Sequence, residues 1–116
     1  MARYLVVTKK ENHDVEANFH KQLLDGVAAA NMLFGDETAE EAKVRSAALD
    51  TEKVSVVLEL HGKKGDAFVF RVPQLVSKRL IFSTDGPLMF VGAKRQPVEM
   101  QGLTVKPAIG TVSVAF

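Results

Sequence analysis

The chain has 116 residues, of which 47% are hydrophobic, and a formal net charge of +1. This length and composition predict a folded globular domain and exclude an intrinsically disordered chain. A net charge so close to zero argues against nucleic acid as the main partner, and the absence of cysteine excludes disulfides and thiolate metal sites. We therefore predict a single domain over residues 1–116, either the whole protein or one module of a longer one.

The amino-terminal segment has a predicted strand from Tyr4 to Thr8. No run in the sequence approaches the ~18 apolar residues of a membrane span. Residues 15–34 fit two interpretations. Apolar residues at every fourth position favour an amphipathic helix from about Ala17 to Leu33, while alternation from Val15 to Phe19 favours a strand, and both interpretations stay open.

A second helix is predicted from Thr38 to Leu49. Thr38 and Glu41 have the spacing of a capping box, in which each side chain bonds to the backbone amide of the other. Glu40 and Glu41 also suit the positive end of the helix dipole. Helix capping therefore explains this acidic pair without a catalytic role.

The stretch from Lys53 to Phe82 predicts a β-hairpin followed by a third strand. Apolar residues alternate along the hairpin strands, which predicts that they all point into one core: Val54, Val56, Leu58, Leu60, Phe68, Phe70 and Val72. Pro73 has no amide hydrogen, so the second strand should stop there. The hairpin strands are joined by a polar loop that is bounded by glycines: Gly62, Lys63, Lys64, Gly65 and Asp66.

The rest of the chain alternates between predicted strands and turns. These are a strand over Leu75 to Phe82, a turn over Ser83 to Pro87, a strand over Leu88 to Val91, a loop over Gly92 to Pro97, a weak strand pair over Val98 to Val105 and a final strand over Thr111 to Phe116. Six or seven short strands with one or two helices predict an α+β fold that is mostly β. We expect an antiparallel β-sandwich or partly open barrel with the helices flanking it.

Few residues suggest chemistry. His13, His20 and His61 are the only histidines, and the first two have a spacing that would place both on one face of a helix. A metal pair is one interpretation of that spacing, but no third ligand is evident, and solvated histidines explain it more simply. The segment Gly62–Gly65 lacks the following helix and the hydroxyl residue of a phosphate-binding loop. We therefore predict no catalytic, cofactor-binding or metal-binding residue, and no enzyme.

One longer pattern suggests a family. The aromatic strand Phe68–Pro73 is followed by a polar turn that enters an apolar strand, Ser83–Phe90, and a final strand closes the chain. Over about Val54 to Phe116 this pattern resembles the C-terminal part of phage tail-tube proteins. The resemblance implies ring-forming subunits, commonly hexameric, stacked into a tube through which DNA passes as passive cargo. It also implies a place in the virion tail, after assembly in the host cytoplasm.

The leading hypothesis is a structural assembly subunit that associates with copies of itself as a ring or stacked tube. Association would use sheet edges and the loop Gly62–Asp66, whose lysines can meet carboxylates on a neighbour. The alternatives are a monomeric binding or regulatory β-module and a small ligand-binding barrel, either of them cytoplasmic. We expect no membrane partner and no sequence-specific nucleic acid.

Overall fold

The computed structural model describes residues 2–33, 41–44, 53–95 and 102–116. In these ranges it contains nine strands and one helix, and all strand pairs are antiparallel. The predicted fold class, α+β and mostly β with antiparallel sheets, is therefore confirmed. The chain divides into two compact units, Met1–Val76 and Ser77–Phe116, each with its own sheet. The single domain over the whole chain stays a prediction.

The first unit is a five-stranded sheet with a helix on one face. Its elements are β1 (Ala2–Lys10), β2 (Val15–His20), α1 (Leu23–Met32), β3 (Glu41–Val44), β4 (Ser55–Gly62) and β5 (Gly65–Pro73). The strand order is β2-β1-β5-β4-β3, so β5 lies in the middle. The predicted first strand is confirmed, and β5 ends at Pro73 as expected for a residue without an amide hydrogen.

The central strand β5 is buried on both faces. Val69 belongs to the core cluster beneath α1, while its neighbours Phe68 and Phe70 point to the opposite face and are equally buried. On the helix side, Gly26 and Ala30 are the buried residues of α1. Because both are small, the helix backbone can lie close to the sheet.

The prediction that the apolar residues of β4 and β5 all point into one core is wrong. A β-bulge interrupts the pairing, since Val56 lies opposite Phe70 whereas Leu58 lies opposite Val69. The extra residue reverses the side-chain direction, as a bulge does. Leu58 and Leu60 therefore join the cluster beneath α1, and Phe70 points away from it. Alternation could not show the reversal because both faces of β5 are apolar.

The segment 15–34 contains both elements that the sequence left open. It begins with the strand β2 and continues with the helix α1, which starts at Leu23 and not near Ala17. The helix predicted from Thr38 to Leu49 is wrong over Glu41–Val44, which forms β3 and pairs with β4. Pairing with an existing sheet supplies backbone hydrogen bonds, and these outweigh a modest helix propensity. Thr38 itself lies outside the described residues.

The second unit is a four-stranded sheet. Its elements are β6 (Lys78–Ser83), β7 (Met89–Arg95), β8 (Thr104–Ala108) and β9 (Thr111–Ala115), in the order β7-β6-β9-β8. The final strand is confirmed, with Val112 and Val114 buried and paired with Phe82 and Leu80. The loop predicted from Gly92 is wrong as far as Arg95, because β7 continues to that residue.

The strand pair predicted before the final strand is only partly described. Of the strand pair predicted over Val98 to Val105, the described part shows β8 beginning at Thr104. Pro107 lies inside β8, which is an edge strand and therefore tolerates a residue that cannot donate a hydrogen bond.

Replacement of Phe70 by alanine tests the double-sided burial of β5. The side chain is fully buried, so we expect the free energy of unfolding to fall by about 3–5 kcal/mol. Urea denaturation followed by circular dichroism measures this change. Leu24→Ala, at an exposed position on α1, is the control and should change stability by less than about 0.5 kcal/mol. A loss below about 1 kcal/mol for Phe70→Ala would contradict the assigned position of this strand.

Candidate functional site

The predicted assembly loop is shorter in the structure than in the sequence analysis. Strand β4 includes Gly62, strand β5 starts at Gly65, and these two residues pair with each other. Only Lys63 and Lys64 form the turn, and both are exposed. Asp66 is a buried residue of β5. The lysines are therefore presented at a tight two-residue turn at one end of the five-stranded sheet.

This turn is held against the neighbouring strand β1. The backbone amide of Glu11 donates to the Lys64 carbonyl at 2.8 Å. Gly65 has a φ of +140°, and a Cβ there would lie 2.1 Å from the Lys9 carbonyl oxygen. Only glycine fits such a position. Glycine at this position thus allows the turn to pack against β1. The loop's role in assembly stays a prediction.

A histidine held by two carboxylates lies next to this turn. His61 Nδ1 is 2.6 Å from an Asp66 carboxylate oxygen, and His61 Nε2 is 2.8 Å from a Glu59 carboxylate oxygen. Glu59 and Asp66 are only 7% and 8% exposed. The Phe68 ring meets the imidazole edge-on at 5.7 Å between centroids. We call these three polar residues, Glu59, His61 and Asp66, the histidine–carboxylate cluster.

The cluster favours the protonated form of the imidazole. Burial of the ring lowers the pKa of His61, but the hydrogen bonds to Glu59 and Asp66 and the charges of both carboxylates outweigh it. The pKa is therefore raised above its ordinary value of 6.5. In the protonated form both ring nitrogens donate, one to each carboxylate. With both nitrogens engaged, His61 has no free lone pair for base catalysis, so the cluster can tie β4 to β5 as a cation between two anions.

The cluster was not predicted from the sequence, where solvated histidines were the simpler interpretation. The signal that could have found it is partial. Glu59 and His61 are two residues apart and so share a strand face. Asp66 lies opposite His61 only because the hairpin turn has two residues. The five-residue loop predicted from the sequence would not place Asp66 opposite His61.

The other two histidines do not come together as the metal interpretation required. The segment between them is a strand and not a helix. His13 is exposed in the turn between β1 and β2, where its Nδ1 lies 2.7 Å from the Glu11 carbonyl oxygen. His20 ends β2. Among the described residues, no group of three histidine, cysteine or acidic side chains has an arrangement suited to a metal ion.

A groove of about 260 Å³ lies between α1 and the β1–β2 pair. Its lining combines apolar and polar side chains: Val6, Thr8, Lys10, Glu16, Asn18, His20, Ala29, Met32 and Leu33. Thr8 lies opposite Glu16, and Val6 lies opposite Asn18, across the two neighbouring strands. The groove therefore offers an apolar side formed by the helix and a row of hydrogen-bonding groups along β2. Of its residues, only His20 was considered from the sequence, as half of a metal pair and not as part of a groove.

Among the strands that the structure describes, β2 and β3 lie at the edges of the first sheet and β7 and β8 at the edges of the second. An edge strand presents unpaired backbone groups that another strand can bond. On β7, Met89 and Val91 are 46% and 65% exposed. This strand thus combines an open backbone edge with an apolar surface.

Comparison of the chain with protein-family models, with curated proteins and with solved structures finds no match. Among the described residues, the one helix is too short to cross a bilayer.

The histidine–carboxylate cluster makes stability depend on pH. Because the folded protein raises the pKa of His61, its contribution is fully present below the unfolded value of about 6.5 and is lost as the pH rises through the folded value. We expect the free energy of unfolding to fall as the pH rises from the unfolded pKa of His61 through its folded pKa. Urea denaturation at a series of pH values from about 6 to 9 measures it, with the range set by the unfolded histidine pKa.

The matched variants for this prediction are His61→Gln and His13→Gln. The first should flatten the pH dependence, since glutamine cannot take up the proton. The second removes an exposed histidine and should leave the dependence as in the original chain. Parallel stability curves for the original chain and His61→Gln would contradict the role of the cluster.

Proposed function

We propose that this chain is a structural subunit that associates with copies of itself through the edge strands of its sheets. The observation that carries the proposal is β7, an edge strand of seven residues with Met89 and Val91 exposed. Pairing with a strand of another copy would satisfy the open backbone groups and bury these two side chains.

The geometry of the second unit favours β7 over its other edge. Strand β8 contains Pro107, which cannot donate, and an exposed Lys106, and both features hinder pairing along an edge. On β7 the pairing with β6 shifts between Ile81 and Phe82, which leaves Val91 as an extra residue. A bulge also hinders pairing along an edge, so β7 is favoured over β8 only because it lacks a proline and exposes Met89 and Val91.

A more specific proposal is that the copies form a ring or a stacked tube. It is supported by the resemblance of the strand pattern to phage tail-tube proteins, which would place the subunit in a virion tail with DNA as passive cargo. The net charge of +1 opposes association very little. Lys63 and Lys64 are exposed at the hairpin turn and can bond carboxylates of a neighbour. Such contacts weaken as salt is added.

Val91→Lys tests assembly through β7. A charge in the middle of this edge would have to be buried on pairing, so we expect smaller species than for the original chain. Analytical ultracentrifugation over a range of protein concentrations measures the size distribution. Ile109→Lys is the matched control, because Ile109 is fully exposed but lies in the β8–β9 turn, outside a strand. If the original chain sediments as a monomer at every concentration, in both low and moderate salt, self-association is excluded.

The groove supports a second candidate function, a module that binds a small amphipathic molecule. Its volume of about 260 Å³ is close to the lower limit of ordinary ligand pockets. The apolar side of Ala29, Met32 and Leu33 faces polar groups on β1 and β2. A ligand with an apolar body and a polar edge would match this division.

Met32→Lys and Leu24→Lys form a matched pair for the groove. Both residues belong to α1 and both are 81% exposed, but only Met32 lines the groove. Titration with the amphipathic dye anilinonaphthalene sulfonate, followed by its fluorescence, should show binding that Met32→Lys weakens and Leu24→Lys does not. Equal binding by both variants would show that the dye does not enter the groove, and no binding by the original chain would count against this candidate function.

A further inference from the structure

Strand β2 forms one edge of the five-stranded sheet, and its sequence suggests what could pair with it. That sequence is VEANFH over Val15–His20. Its only described strand neighbour is β1. The exposure alternates along it, with Glu16 and Asn18 exposed between half-buried residues.

The sequence of β2 is complementary to itself when it runs antiparallel about Asn18. In that register Glu16 lies opposite His20 of a second copy, and Ala17 lies opposite Phe19. Asn18 lies opposite its own counterpart, where two amides can bond each other. The register thus pairs an acid with a base and a small side chain with a large one. Cross-strand pairs of these kinds stabilise antiparallel sheets.

We propose that two copies of this chain pair through their β2 strands, antiparallel and centred on Asn18, so that the two five-stranded sheets become one sheet of ten strands. The proposal deepens the proposed self-association and depends on it. The contact is isologous, because each copy offers the same residues to the other. It is independent of β7, which belongs to the other compact unit.

Neighbouring registers fit less well. Centring the pair on Ala17 places Glu16 opposite Asn18 and leaves His20 opposite Asp14, which is exposed and lies before β2 begins. The edge strand β8, by contrast, is not complementary to itself. Centred on Lys106, it would place two lysines opposite each other, and like charges at that position destabilise a strand pair.

The register also joins the two grooves. Glu16, Asn18 and His20 line the groove of their own copy. An antiparallel pair with its twofold axis normal to the sheet keeps corresponding faces on the same side. The two rows of polar groups would then lie side by side on the helix face of the ten-stranded sheet. The partner copy thus contributes residues to a site that each copy holds only in part.

Charge exchange between Glu16 and His20 tests the pairing. Glu16→Lys alone places the new lysine opposite His20, and His20→Glu alone places two carboxylates opposite each other. Each variant should therefore dimerise about tenfold more weakly, since two cross-strand pairs are lost by symmetry. An equimolar mixture of the two variants restores both opposite-charge pairs, so we expect heterodimers with the original affinity. Sedimentation equilibrium in the Val91→Lys background measures this without the β7 contact.

A crosslink provides a second readout that does not depend on charge. The chain has no cysteine, so Asn18→Cys introduces a single thiol. Residues opposite each other in antiparallel strands have Cα atoms about 4.5–5.5 Å apart, which a disulfide can span. Mild oxidation should give a covalent dimer on a non-reducing gel for Asn18→Cys, whereas Ala17→Cys should give much less. Glu11→Cys, at an exposed turn position, is the control for random collision.

The outcomes separate this inference from the proposed function. A monomeric original chain overturns both. Assembly of the original chain that Val91→Lys reduces to monomers, without dimers, overturns β2 pairing and leaves assembly through β7 standing. Dimers that the mixture of charge variants does not restore, or that crosslink through Ala17→Cys, overturn the register. Restored heterodimers together with the Asn18→Cys crosslink establish it.

Discussion

The five-stranded sheet depends on the close approach of two backbones at Gly65. The Lys9 carbonyl lies where a side chain would begin, so β1 and β5 can pair along their full length only with glycine at this position. The same residue pairs with Gly62 across the hairpin turn. One residue therefore sets the register of β5 on both of its neighbours. The core beneath α1 and the opposite buried face both follow from that register.

The histidine–carboxylate cluster reinforces the same end of the hairpin. Asp66 follows Gly65 directly and bonds His61 across the two strands. Two buried carboxylates without a cation between them would repel each other strongly, and the protonated imidazole removes that cost. The turn is thus held by backbone geometry on the β1 side and by charge on the β4 side.

Strand positions and buried residues could be predicted from the sequence where one face of a strand is apolar and the other polar. The final strand is such a case, since Val112 and Val114 are buried and Thr111 is exposed. The predicted secondary structure and side-chain direction were wrong where pairing with a distant strand decides them. Residues Glu41–Val44 have the composition of a helix but pair with β4. The bulge after Val56 left no pattern, because Phe68, Val69 and Phe70 make both faces of β5 apolar.

The candidate contacts could not be predicted residue by residue for a related reason. Sheet edges are a property of strand order, and the orders β2-β1-β5-β4-β3 and β7-β6-β9-β8 are not sequential. Local sequence patterns show that strands exist but not which of them is last in the sheet. The groove likewise joins residues of β1 and β2 to α1 through the packing of the helix. The sequence predicts that the sheets have open edges, but only the strand order shows which strands form them.

The bulge in β4 also bears on how this chain can change in length during evolution. Val57 is the extra residue, since Val56 and Leu58 lie opposite the adjacent residues Phe70 and Val69. Loss of its codon would leave Val56 beside Leu58 and every other pair of the hairpin unchanged. The gene can therefore gain or lose one codon here without an intermediate in which the sheet is out of register. Elsewhere in a two-sided strand, the same event would turn every following side chain to the wrong face.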